Sequence, residues 1–281
     1  MSILTVNHNI ASLNTQRNLE VNSFNLAKSL QKLSSGFRIN VAADGPADLV
    51  ISEGLRVQIS GLNAALRNTQ EASNYLGIAE GALGEITSLL DTMRSLAVHA
   101  ANTGVVTTSQ IAADQAEVDR ALASINRINA ATRFAGSKVF VTGNKTFHIG
   151  EGATALTDEV KISVGTVSVG TLGIGTISGT NVGGRLSLHA NSVIAKIDLA
   201  VTRVTSLRGK LGAMIKDTLQ TNVNSLSVAL ENVTATESYV RDANMARETS
   251  EYTKNQILVQ AGVSVLAQAN VASQSVLQLL G

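Results

Sequence analysis

Catalysis and ligand binding need nucleophiles, acids or metal ligands at fixed spacing, and this chain offers few. Its four histidines, at 8, 99, 148 and 189, are scattered and lack the short spacings of a metal site. Packing or surface roles account for them better. There is no cysteine, hence no thiolate nucleophile, disulfide framework or zinc ribbon, and the compartment stays open. No H-E-x-x-H occurs. Gly173-Ile174-Gly175 has the look of a nucleotide loop, but it sits among glycine-punctuated strand signals with no helix expected to open behind it. Asp44 and Asp48 resemble a carboxylate pair; capping a helix that restarts at Gly45-Pro46 explains them better. Asn144-Lys145-Thr146 and Asn232-Val233-Thr234 are glycosylation sequons by pattern alone. No catalytic, cofactor-binding or metal-ligating residue is identified.

Composition points away from enzymes and toward helix packing. Apolar residues make up 44% of the 281 but aromatics only 3%, so the apolar content is Ala, Leu, Val and Ile. Small side chains let helices approach closely, which suits a bundle better than a ligand pocket. A single proline, Pro46, leaves helices almost uninterrupted. A formal net charge of +1 carries no nucleic-acid or acidic-membrane footprint. No apolar run approaches the roughly 20 residues of a membrane span, and no basic region followed by an apolar core marks a signal peptide.

The strongest pattern lies in Leu55–Ala100. Leu62, Thr69, Leu76, Leu83, Leu90 and Ala97 recur every seven residues. Ala65, Ala72, Ala79, Ile86, Met93 and Ala100 recur with them, offset by three. This is a heptad seam, and Leu62, Leu76, Leu83, Ile86, Leu90 and Met93 are its large members. A helix of that span is roughly 70 Å long at about 1.5 Å per residue. It is either a long bundle helix or a rod with partners along its length.

The rest of the chain is organised around that rod. Helical spacing starts at Ile10 and ends near Ser34-Ser35-Gly36, where glycine can take the left-handed cap. A connector follows, then a restart at Asp44-Gly45-Pro46 and the rod helix to about Ala101. A third helix is expected from about Ser109 to Ala131. From Gly136 to Gly184 the chain is rich in Gly, Thr and Val. Lys161–Val164 and Thr166–Val169 alternate with period two and read as short β-hairpins. Helical period returns at Leu186, with Ile197, Val204 and Leu211 seven apart, then Leu219, Leu226, Val233 and Val240. That is one long helix, or two with a break near Gly209–Gly212. The expected segments are an N-terminal inner helix over 1–43, rod helices over 44–135, a hairpin region over 136–185, a C-terminal rod helix over 186–240 and a C-terminal inner helix over 241–281. The fold class is mainly α, an elongated rod of long coiled-coil helices from both chain ends, with a small β-hairpin region in the middle.

Both ends are unusual in charge. Residues 1–16 carry no charged side chain when His8 is neutral, and none follows Lys254. In the tail, amides such as Gln256, Gln260 and Gln268 interleave with Ile257, Leu258, Val265, Leu266, Leu277 and Leu280. Amides argue against a lipid-facing helix. A surface helix normally shows charges on its outer face. An uncharged polar face instead fits burial among other helices. The two ends are therefore expected to pair with each other, and then with copies of the chain. Ile10, Leu13, Leu30 and Leu33 at the head, with the six apolar tail residues just named, are the candidate assembly residues.

These residues resemble bacterial flagellin. The N-terminal likeness includes Val6-Asn7-His8-Asn9, Leu33-Ser34-Ser35-Gly36-Phe37-Arg38-Ile39-Asn40, Asp44 with Leu49-Val50-Ile51-Ser52, Arg67-Asn68, and Arg94-Ser95-Leu96-Ala97-Val98 with Ala100-Ala101-Asn102. The C-terminal likeness runs through Gln256-Ile257-Leu258, Gln260-Ala261-Gly262, Ser264-Val265-Leu266-Ala267-Gln268-Ala269-Asn270, Val276-Leu277 and Leu279-Leu280. The resemblance implies a motility filament subunit, exported unfolded through the flagellar type III apparatus and assembled at the distal tip into an extracellular filament. Its implied partners are other copies, hook-associated and cap proteins, and a cytosolic chaperone that holds the C-terminal helix. The centre is short, so the large outer domains of many members look absent, and Gly45-Pro46-Ala47 departs from the polar-and-alanine run usual there. The alternative is a hook–filament junction protein, which shares the end motifs. The resemblance also implies a possible surface for the vertebrate innate-immune flagellin receptor, which Arg94, Leu96 and Glu117 match. Thr92 stands where an arginine is usual and Ser95 where a glutamate is usual, so weakened recognition is expected.

Overall fold

A computed structural model describes residues 9–152, 154, 158–178 and 185–280, with side chains at 185–188 and 272–280 excepted. The chain divides into two compact units, one formed by residues 1–59 and 232–281 and the other by 60–231. Long helices come from both ends and two small antiparallel strand pairs lie in the middle, as the sequence pattern indicates.

In the first unit, helix α1 (Ile10–Ser35) starts at Asn9, whose side chain accepts from the Ser12 N–H at 2.9 Å. It stops at Gly36, which sits at φ 76° and donates its N–H to the Lys32 carbonyl at 2.9 Å. Only glycine takes that left-handed conformation without strain, so the stop is written into residue 36. The C-terminal helix α7 (Met245–Leu280) lies antiparallel to α1. Asn9 donates to the Ala269 carbonyl at 3.0 Å near one end, and Lys32 meets Glu248 at 3.9 Å near the other. The expected pairing of the two chain ends is thus present within one molecule.

The connectors of this unit form a clasp. Phe37 and Asp242 make an antiparallel bridge, flanked by Arg38 N–H to the Arg241 carbonyl at 2.7 Å and Ala243 N–H to the Gly36 carbonyl at 2.9 Å. The Arg241 guanidinium lies 4.4 Å from the Phe37 ring centroid and 3.5 Å from Glu53. Asp44 does not cap the helix that follows. Its carboxylate accepts from the N–H groups of Asn40 and Val41 at 3.1 and 3.2 Å and from Lys28 at 2.8 Å, closing its own connector instead. These bonds, the lysine's first, hold the Asp44 carboxyl below the usual carboxylate range. Asp48 pairs with Arg38 at 3.1 Å.

Helix α2 runs Pro46–Ala101 and starts on its proline as expected. In the second unit its whole seam is buried: Leu62, Ala65, Thr69, Ala72, Leu76, Ala79, Leu83, Ile86, Leu90, Met93, Ala97 and Ala100. Helix α3 (Thr108–Ala131) starts in a Thr107/Gln110 capping box and adds Ile111, Val118, Leu122 and Ile125 to the same core. Strands β1 (Arg133–Phe134) and β2 (Ser137–Lys138) form one hairpin. Strands β3 (Lys145–His148) and β4 (Glu159–Ile162) form the other, with Lys145 opposite Ile162. They cover Tyr75, which packs edge-on to Phe134 at 5.9 Å and donates its hydroxyl to the Val139 carbonyl at 2.9 Å. Burial pushes the Tyr75 hydroxyl pKa up.

One local expectation is corrected and one open choice is decided. Thr166–Val169 is not a strand: the N–H groups of Val167 and Val169 go to the side chains of Asn129 and Asn126, both at 3.1 Å, and Ser168 caps the short helix α4 (Val169–Leu172). Side-chain acceptors on α3 take the place of a partner strand. Of the two readings at Gly209–Gly212, the unbroken helix is the one present. Helix α5 (Arg185–Ala213) continues through a π turn at Met214–Gln220 into α6 (Thr221–Arg241). The apolar series steps by eight from Leu211 to Leu219, and a π turn absorbs that extra residue. Both leucines therefore stay buried on one face.

Candidate assembly interface

The structure sorts the candidate residues into two environments. All six large seam residues are buried in the second unit's core. The terminal candidates of the first unit are mostly uncovered. Ile10 is 64% exposed and Leu13 71%, and Leu30, Ile257, Leu258 and Val265 are also exposed. Leu33 and Leu266 are half-buried between α1 and α7. The side chains of Leu277 and Leu280 lie outside the described residues, as do Val6, Asn7 and His8.

The exposed apolar face is wider than the sequence candidates. Val21 is 54% exposed and Phe24 69%, and both stand eleven residues on from Ile10 and Leu13. Eleven residues are close to three full helical turns, so the four side chains share one face of α1. That eleven-residue spacing is present in the sequence but falls outside the seven-residue repeat that marks the α2 seam. Val50, Ile51 and Val57 of α2 and Val263 and Val271 of α7 are exposed as well. Such density of uncovered aliphatic side chains on a unit built of long helices marks an interaction surface.

Between α1 and α7 runs a groove of about 530 Å³ whose lining includes Leu19, Glu20, Ser23, Val259, Val263 and Leu266. The helices approach closely at Gly262, where an added Cβ would stand 3.1 Å from Leu19 Cδ1. A larger cleft in the same unit, about 1050 Å³, is walled by side chains of both signs, among them Lys28, Lys32, Arg247 and Glu251.

Among the described residues no three His, Asp or Glu side chains gather to hold a metal. His99 pairs with Asp114 at 2.7 Å, and His148 bonds the Gly152 carbonyl at 2.8 Å. Around Gly173 the backbone N–H groups are consumed internally: Gly173 donates to Gly170 and Ile174 to Val169. Among the described residues no helix is long and apolar enough to cross a membrane.

The candidate receptor residues occupy the second unit. Arg94 is exposed, and its Nε donates to Asp198 of α5 at 2.7 Å, an interaction that raises the guanidinium pKa further. Glu117 is exposed on α3, and Leu96 is half-buried against the core. The ion pair of Arg94 is thus with α5, not with Glu117.

The exposed terminal face and the buried seam agree with the comparisons to known proteins. Residues 6–145 match the bacterial flagellin N-terminal helical region, and residues 194–280 match the bacterial flagellin C-terminal helical region. The chain belongs to the bacterial flagellin family. It is 37% identical to flagellin FlaB2 of Treponema pallidum over 290 residues, covering 99% of this chain and 100% of that one. It is 36% identical to the flagellar filament 33 kDa core protein of Treponema phagedenis over 293 residues, with the same coverage. A crystal structure of Bacillus cereus flagellin matches with a TM-score of 0.47 and 25% identity, covering 57% of this chain and 88% of that one. Both relatives match along their whole length, and a short form fits the 281 residues.

Proposed function

We propose that the chain is a structural subunit of the bacterial flagellar filament, serving motility, and that it polymerises through the exposed faces of α1 and α7 while the seam of α2 holds each subunit's second unit together. One observation carries the proposal: apolar side chains that a folded chain normally buries stand uncovered on the two terminal helices. The family and the full-length relatives support the filament reading, and no observation favours a hook–filament junction protein. Flagellins are structural proteins, and we assign this one no catalysis.

Family membership supports the following reading of the remaining partners. Export runs unfolded through the type III apparatus to an extracellular filament. Hook-associated and cap proteins meet the ends of that filament. A cytosolic chaperone receives the apolar positions of residues 240–281 as a helix in a groove. Recognition by the vertebrate flagellin receptor runs through Arg94, Leu96 and Glu117, weakened by Thr92.

Negative-stain microscopy of purified chain under polymerising conditions tests the central claim. Long uniform filaments are expected from the full chain and none from a chain lacking 255–281. Filaments of normal length from the truncated chain would overturn it.

A further inference from the structure

Two features on α1 are complementary to each other and cannot meet within one molecule. The first is a ridge of Ile10, Leu13, Val21 and Phe24, all more than half exposed. Arg17 lies within it, midway along the face and exposed. The second is the groove between α1 and α7, with Leu19, Val259, Val263 and Leu266 inside it and Glu20 and Ser23 among its lining residues. At about 100° per residue the ridge and the α1 wall of the groove point roughly 120° apart around the helix.

The charges are complementary as well. Arg17 is the charge of the ridge, and its guanidinium reaches only an Asn14 side chain at 3.4 Å, a weak bond. Glu20 is the charge of the groove. Neither forms an ion pair among the described residues, although they stand three apart on one helix. The i,i+3 pairs that do form here, Glu53 with Arg56 and Glu251 with Lys254, have the acid on the N-terminal side, the better order on a helix and the reverse of Arg17 and Glu20, which leaves both charges open to a partner in another copy.

We infer that the ridge of one copy seats in the α1/α7 groove of the next, with Arg17 of the first copy meeting Glu20 of the second. This rests on the filament reading above and gives it a direction. A ridge and a groove on different faces make a heterologous contact. Such a contact repeats from copy to copy and generates an open helical array rather than a closed dimer. The apolar residues supply attraction, and the single charge pair sets the register, since sliding the ridge by one turn would leave Arg17 and Glu20 unmatched.

The test exchanges the charges in trans. Arg17→Glu copies carry two acidic faces, and Glu20→Arg copies carry two basic ones. Each alone is expected to raise the critical concentration for polymerisation about tenfold or more, an amount that unpaired interfacial charges readily produce. A one-to-one mixture is expected to polymerise near the wild-type concentration, because every contact in an alternating array then joins opposite charges. An intramolecular Arg17–Glu20 role predicts no rescue by mixing, since each copy keeps its own defect. Failure of the mixture, or unhindered assembly of either single variant, overturns the ridge-and-groove contact while wild-type filaments leave the filament reading standing. Absence of filaments from wild type strikes the filament reading itself. Should either variant lose helix content as a monomer, Arg17→Gln and Glu20→Gln replace them in a double-mutant cycle. The double variant is then expected to raise the critical concentration by clearly less than the product of the two single effects, and a full product overturns the pairing.

Discussion

Two leucines with the same chemistry should respond oppositely to truncation. Leu90 is 0% exposed in the α2 seam, and Leu13 is 71% exposed on α1. Leu90→Ala removes a fully buried side chain and leaves a cavity, a change that costs about 2.7–5 kcal/mol. Leu13→Ala loses only the covered third of a side chain whose full burial contributes roughly 1.5–3 kcal/mol, hence about 0.5–1 kcal/mol. Alanine's better helix propensity offsets a few tenths of that. On assembly the order reverses. The uncovered part of Leu13 becomes buried against another copy, about 1–2 kcal/mol, which raises the critical concentration roughly 5- to 30-fold in the alanine variant. Urea unfolding of the monomer followed by far-ultraviolet circular dichroism reads the first effect. Sedimentation of polymer across a concentration series reads the second. A loss of monomer stability in Leu13→Ala as large as in Leu90→Ala, or an unchanged critical concentration, would refute the division between a seam that folds the subunit and a face that joins subunits.

Three further outcomes follow from single contacts. Asp44 has a depressed pKa, so its contribution is present above the ordinary carboxylate range near pH 4 and is lost as pH falls through the lower folded value. The protection of the amides in residues 36–45, measured against the unstructured exchange rate at the same pH, should fall in acid in the wild type, and Asp44→Asn should show the lower protection already at neutral pH. At Gly150 an added Cβ would stand 2.6 Å or less from Cβ, Cγ and Oδ1 of Asp158, atoms too near the backbone to swing clear. Gly150→Ala should therefore cost about 1–3 kcal/mol by overpacking the hairpin, read in the same urea titration, and Gly77→Ala, which meets open space inside α2, should instead stabilise by about 0.5–1 kcal/mol through alanine's better helix propensity. Thr92→Arg should increase potency in a receptor reporter-cell assay on monomeric protein; unchanged potency at equal helix content would remove position 92 as the limiting contact.

Much of this protein is written in local pattern. The seam from Leu62 to Ala100 announces a long helix because apolar spacing and helical pitch are one quantity seen twice. Gly36 and Pro46 mark helix ends because their backbones permit or forbid particular conformations wherever they stand. The charge-free ends announce a surface meant for other helices. Tertiary structure alone decided the rest. Whether Thr166–Val169 pairs as a strand depends on competing acceptors, and Asn126 and Asn129 lie some forty residues away in the chain. Whether Asp44 caps the next helix or closes its own connector depends on Lys28, which only the fold brings to 2.8 Å. The stretch around Gly209–Gly212 reads equally well as a break or as one continuous helix until the burial of both Leu211 and Leu219 against one core selects the continuous helix, carried past the extra residue by a π turn. Local pattern fixes what a residue can do, while the choice among its possible partners is a comparison of energies between groups distant in sequence, and only the folded chain performs that comparison.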